Sequence, residues 1–150
     1  MPSGGRWLTL AEAQGVPQKS LVTSAGLRRG NMPNPFVHIE LQTQDVDKSK
    51  KFYASLFDWK LEEIPGMDYT VINVGEGTGG GMMKKPVPGI PDNWLPYILV
   101  VDAAASTKKA RALGVTIAKD VTEIPGFGWF SVILDPTGAA FGLWQPKASK

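Results

Sequence analysis

Two stretches of this chain repeat one another. Glu63-Ile64-Pro65-Gly66 returns 60 residues later as Glu123-Ile124-Pro125-Gly126. Each is followed by an aromatic (Tyr69, Trp129), a β-branched stretch (Val71-Ile72, Val132-Ile133), a glycine-bearing turn and an apolar run closing on proline (Pro86, Pro146). Ahead of each lie Asp45 or Asp102, Ser49 or Ser106, Lys51 or Lys108, and Leu56 or Leu113, spaced 57 residues apart. The two registers therefore differ by three residues across the intervening loop. Units of about 50 residues are too small to bury a full core each, and two copies are too few for a stacked solenoid. The repeat predicts a pseudo-symmetric pair within one domain.

With 43% hydrophobic and 20% charged residues in 150, the chain has enough apolar material for one core. No apolar run reaches the roughly 18 residues that span a bilayer, so no membrane partner is expected. The formal charge of +2 is concentrated in residues 1–31, where Arg6, Lys19, Arg28 and Arg29 face only Glu12. The rest of the chain is close to neutral and offers no electrostatic footprint for nucleic acid. The absence of cysteine excludes disulfides, thiolate metal sites and cysteine nucleophiles, and it suits a cytoplasmic location.

Residues 1–31 lack a continuous apolar core and so do not resemble a secretory signal. They are expected to be a flexible extension, or translated sequence ahead of a start at Met32. The alternative is an arm that packs on its own domain or a partner through Trp7, Leu8 and Leu10. The domain itself is placed at 32–150, with module one at about 35–86, a linker at 87–94 and module two at about 95–147.

Within module one, Phe36–Thr43 alternates Val37, Ile39 and Leu41 against His38, Glu40 and Gln42, as a strand with one apolar face does. Asp45 is placed to cap a helix running to about Phe57. Strands are expected at 59–64, 69–74 and 81–85, the first pair joined at Pro65-Gly66. Module two repeats this with a strand at 97–101, a helix at 103–113, and strands at 116–120, 129–134 and 140–145. The fold class is therefore α+β, as two βαβββ modules. The helix–strand phase predicts a core of Val37, Ile39, Leu41, Phe52, Leu56, Leu99, Leu113, Val132, Phe141 and Leu143. Glycines 75–81 carry no P-loop lysine ending and indicate a hairpin turn.

The Asp-capped helix ending Phe52-Tyr53-x-x-Leu56-Phe57-x-Trp59, and the closing Asp135-Pro136-x-Gly138-x-x-Phe141-x-Leu143-Trp144-Gln145-Pro146, together resemble the vicinal oxygen chelate superfamily. That group includes glyoxalase I, bleomycin-resistance proteins and extradiol dioxygenases, and the resemblance covers residues 35–147. It implies curled sheets around a concavity, a homodimer, and, in the metal enzymes, a divalent ion held by the first and last strands of each module. The ligand positions fall on His38, on Met82 (or Gly81 if the glycine turn shifts register), near Pro96 with Tyr97 the nearest oxygen donor, and on Gly142. Methionine, proline and glycine are poor or absent donors for a hard cation, so no metal and no cofactor are expected.

The same positions imply a cavity lined by His38, Glu40, Met82, Lys84, Gly142 and Trp144, with Tyr69 and Trp129 as wall or rim. Gly142 would leave room there for ligand. His38 is the candidate catalytic base, its imidazolium supported by Glu40. The expected function is metal-independent binding of a small apolar or aromatic, partly polar molecule. Two alternatives stand beside it. One is a glyoxalase-type lyase or isomerase, or another enzyme of the group, working through an unconventional metal set or through His38 and Glu40. The other is an interaction domain whose cavity is filled by its own side chains.

Overall fold

The computed structural model describes residues 34–148. The expected extension at 1–31 lies outside the described residues. The element order is β1 (Phe36–Thr43), α1 (Val46–Leu56), β2 (Lys60–Glu63), β3 (Tyr69–Asn73) and β4 (Gly80–Lys84). It continues with β5 (Asn93–Leu99), α2 (Ala103–Ala112), β6 (Ile117–Ile124), β7 (Gly128–Leu134) and β8 (Ala140–Pro146). This is βαβββ twice, an α+β chain. Two compact units result, one spanning His38–Leu95 and the other containing residues from Pro96 onwards.

Each unit starts its helix in the same way. The Asp45 carboxylate accepts from the backbone N–H of Lys48 at 3.0 Å, and Asp102 accepts from Ala105 at 2.9 Å. These bonds satisfy donors that the first helical turn leaves open. Gly66 and Gly126 stand at φ of 79° and 87°, the left-handed region that their turns require and that glycine enters without strain.

In the first unit the strands order β2-β3-β4-β1; β1 and β4 run parallel and the other pairs antiparallel. The second unit repeats the order as β6-β7-β8-β5, with β5 and β8 parallel. β6 is twice the length of β2 and is bulged between Ile117 and Thr122, which accommodates the three extra residues of the second copy.

Leu41, Ile72 and Met82 form the core beneath α1, with Val46, Tyr53 and Trp59 packed against them. Val100, Ala103, Ile133 and Leu143 form the core of the second unit, with Ala110 of α2 packed against it. A buried hydroxyl pair, Thr107 and Ser131 at 2.8 Å, ties α2 to β7. Leu41, Leu99, Val132 and Leu143 are buried as expected, and Val37 and Phe141 are half-buried. Four of the expected core residues are not in it. Phe52, Leu56 and Leu113 point outward at 57%, 56% and 74% exposure, and Ile39 is exposed as well. The inward line of α1 is instead Val46, Ser49 and Tyr53, one helical position away from the line Phe52–Leu56.

Candidate functional site: a closed polar chain over a glycine

Alternation along β1 sends His38, Glu40 and Gln42 to the face away from α1, and all three are buried. Tyr69, on β3, reaches the same face. Its hydroxyl lies 2.8 Å from His38 Nε2 and donates to Glu40 Oε2 at 3.0 Å. Gln42 Nε2 donates to Glu40 Oε1 at 3.1 Å. A phenol has one proton, and here the carboxyl receives it. The His38 contact therefore requires a proton on Nε2, as a neutral Nε2–H imidazole carries. Complete burial agrees, since desolvation pushes the His38 pKa down from 6.5 to about 3. Burial and the intervening Tyr69 hydroxyl both disfavour the imidazolium expected beside Glu40.

Gly81 explains how the tyrosine fits. It pairs with Glu40 across β1 and β4, and a Cβ at Gly81 would lie 2.0 Å from the Tyr69 hydroxyl. Gly142 is built alike. It pairs with Tyr97, whose ring carbon would lie 2.3 Å from a Cβ at Gly142. The space expected for ligand at Gly142 is thus occupied by the Tyr97 ring.

The register also relocates three expected site residues. Met82 pairs with Leu41 and Lys84 with Thr43, so both belong to the α1 side of the sheet, opposite His38. Met82 is fully buried in the core beneath α1, whereas Lys84 is exposed. Trp129 pairs with Gln145 and packs with Ile133 and Leu143 on the α2 side, while Gly142 and Trp144 face the other way. Trp144 is buried, paired with Phe130 of β7 and Leu99 of β5. Structural equivalence runs from Gly81 to Gly142 and from Tyr69 to Phe130, a spacing of 61 rather than 60. One more residue enters module two between the Pro-Gly turn and β7. A shift of one position in a strand exchanges its faces.

The donor set does not fit a divalent ion. Gly81 and Gly142 carry no donor, Met82 is on the wrong face, and His38 and Glu40 are engaged by Tyr69. Among the described residues there is no group of three or more His, Cys, Asp or Glu able to hold a metal. An open groove of about 750 Å³ in the first unit shares only Tyr69 with the polar chain and is otherwise lined by the start of α1, the β2–β3 hairpin, Thr70 and Lys84. Ile64, Pro65 and Met67 give it an apolar wall. The sequence pointed to Tyr69 and Lys84 as site residues but not to the β2–β3 hairpin that lines the groove with them.

Paired βαβββ modules, each with an Asp-capped helix and parallel first and last strands, define a two-module α+β protein with the glyoxalase type of architecture. Comparison with known proteins agrees. The family described as bleomycin resistance protein-like N-terminal matches residues 35–75. CFP32 of Mycobacterium tuberculosis, which carries a provisional glyoxylase name, is 36% identical over 110 residues, covering 71% of this chain and 42% of its own length. The anthracycline biosynthesis protein DauV of Streptomyces sp. strain C5 is 27% identical over 123 residues, covering 71% of this chain and 45% of its own. Among solved structures, a glyoxalase/bleomycin resistance protein/dioxygenase superfamily member from Vibrio splendidus has the same fold. It superposes with a TM-score of 0.56 at 15% identity, covering 77% of this chain and all of the other. The chain belongs to this superfamily, the vicinal oxygen chelate group. It spans less than half the length of the curated relatives it matches. Among the described residues no helix is long and apolar enough to cross a membrane.

Proposed function

We propose that this protein binds a small apolar or aromatic, partly polar molecule without the help of a metal ion, and that it does so as a homodimer. The observation that carries the reading is the position of Tyr69. Its hydroxyl engages the two groups of β1, His38 and Glu40, that a metal would otherwise draw on, and the same residue is also among those lining the open groove. At about 750 Å³ the groove falls within the roughly 300–1,000 Å³ of small-molecule sites. Ile64, Pro65 and Met67 offer apolar contact, and the Lys84 ammonium and Thr70 hydroxyl offer polar contact. Glycine at 81 preserves the arrangement, since any side chain there would displace the phenol.

A calorimetric or fluorescence screen of hydrophobic, partly polar compounds tests this, alongside metal analysis of protein purified without chelator. Expected are hits whose affinity falls at least about tenfold in Lys84→Glu, with far less than one metal per chain. Hits that bind wild type and variant equally would move the site elsewhere. One metal per chain would overturn metal independence.

One observation favours a catalytic second reading. His38 Nε2, the Tyr69 hydroxyl and the Glu40 carboxyl are hydrogen-bonded in series, and in this reading Tyr69 and Glu40, instead of His38, would take the acid–base role. Turnover of the methylglyoxal–glutathione adduct that is lost in Tyr69→Phe would support lyase or isomerase chemistry of the glyoxalase type.

A further inference from the structure

The groove of the first unit holds more charge than its own construction uses. Six charged side chains line it, and the fold occupies four of them. Asp45 caps α1 through the Lys48 N–H, and Lys50 contacts Asp47 at 3.7 Å and ties α1 to the hairpin through Glu63. Asp68 and Lys84 are left over. Both are exposed, and neither has an ion-pair partner among the described residues.

These two groups stand opposite one another. β3 and β4 pair Tyr69 with Met83 and Thr70 with Met82. Carried one residue past the start of β3, that register sets Asp68 across from Lys84, with Cβ atoms roughly 5 Å apart. Thr70, two residues along from Asp68, shares its side of the sheet. It is only 3% exposed and lines the groove, and its hydroxyl has no hydrogen-bond partner among the described residues. A buried hydroxyl left without a partner is unfavourable, and an acceptor reaching it from the groove would remove that cost.

We propose that the groove takes a zwitterion, namely a free α-amino acid with an apolar or aromatic side chain. The proposal rests on the small-molecule reading above and names the ligand class for the same groove. Asp68 receives the ammonium, Lys84 and the Thr70 hydroxyl receive the carboxylate, and the side chain lies on Ile64, Pro65 and Met67. The two charges of an α-amino acid are joined through a single carbon, a separation suited to side chains on neighbouring strands. The pairing also discriminates. A ligand with the anion alone meets the Asp68 carboxylate uncompensated, and one with the cation alone meets the Lys84 ammonium in the same way.

Ligand-observed NMR titration of the full chain with phenylalanine, 3-phenylpropionate and phenethylamine tests this. The three share a phenyl group and differ in the charges they carry. Phenylalanine is expected to bind at least about tenfold more tightly than either of the others. Asp68→Asn should abolish its advantage over 3-phenylpropionate, and Lys84→Met its advantage over phenethylamine. Thr70→Val should weaken the two carboxylates and leave phenethylamine unchanged. Because Asp68 and Lys84 are exposed, their variants keep the test valid if the buried Thr70→Val misfolds. Equal binding of the three compounds, or a phenylalanine advantage that survives both charge variants, would overturn the zwitterion assignment. Should none of the three bind while the hydrophobic screen yields hits sensitive to Lys84→Glu, the assignment fails alone. Should that screen yield none either, the small-molecule reading fails with it.

Discussion

A phenol hydroxyl held between an imidazole and a carboxyl has given up its water, and two protein bonds must replace it. Tyr69→Phe removes both bonds while keeping the ring over Gly81. It should cost about 1–3 kcal/mol, because His38 and Glu40 each lose a buried partner. Urea denaturation giving a loss well under 0.5 kcal/mol would mean that the chain is not closed as described. His38 adds a pH dependence of definite sign. Its folded pKa is lowered to about 3 while the unfolded value is 6.5, so between these values the unfolded chain binds a proton that the native state refuses. Stability is then complete above the unfolded value and falls as the pH drops towards the folded one, by up to a few kcal/mol at ~1.4 per unit. Denaturation at pH 7 and pH 4.5 should show a smaller fall in His38→Gln than in wild type. Gly142 belongs to the same scale. Gly142→Ala would press a methyl into the Tyr97 ring, and ~1–3 kcal/mol of destabilisation is expected, not the neutral filling of an empty cavity.

The strands and helices were legible in the sequence because their signals are local. Asp45 and Asp102 mark both helix starts, the Pro-Gly turns mark both hairpins, and alternation in β1 separates Leu41 from His38 and Glu40. The faces of β4 and β7 were not legible. They depend on one residue inserted after the second turn, and motif spacing from Glu63 to Glu123 passes over it. That one position transfers Met82, Lys84 and Trp129 to the helix side and brings Gly81 beneath Tyr69. The outward turn of Phe52, Leu56 and Leu113 was missed for a different reason. Both helices are short, and small or polar residues (Ser49, Ala103, Thr107) suffice where they approach the sheet closely. Leu143, on the α2 side of β8, is a true core position, and Leu143→Ala should cost about 2–5 kcal/mol. Leu113→Ala, on an exposed helix end, should stay within about 0.5 kcal/mol.

At the scale of the whole molecule, the repeat has been kept and its two copies have diverged. Away from the helices the first unit presents His38, Glu40, Gln42 and Tyr69, whereas the second presents Tyr97, Leu99, Phe130 and Trp144. Both copies hold glycine against a tyrosine, Gly81 under Tyr69 and Gly142 against Tyr97. In the first copy that tyrosine closes a polar chain; in the second its ring is packed. A chain so built keeps the architecture of its superfamily while the buried polar residues of the first unit bond to one another. His38 is the sole histidine of the 150 residues, which makes this central claim directly measurable by NMR of the imidazole. The account predicts a neutral ring protonated on Nε2, no titration between about pH 8 and pH 5, and no response to added Zn²⁺ or Ni²⁺. A titration midpoint near the ordinary 6.5, or a stoichiometric metal-induced shift of its ring signals, would contradict it.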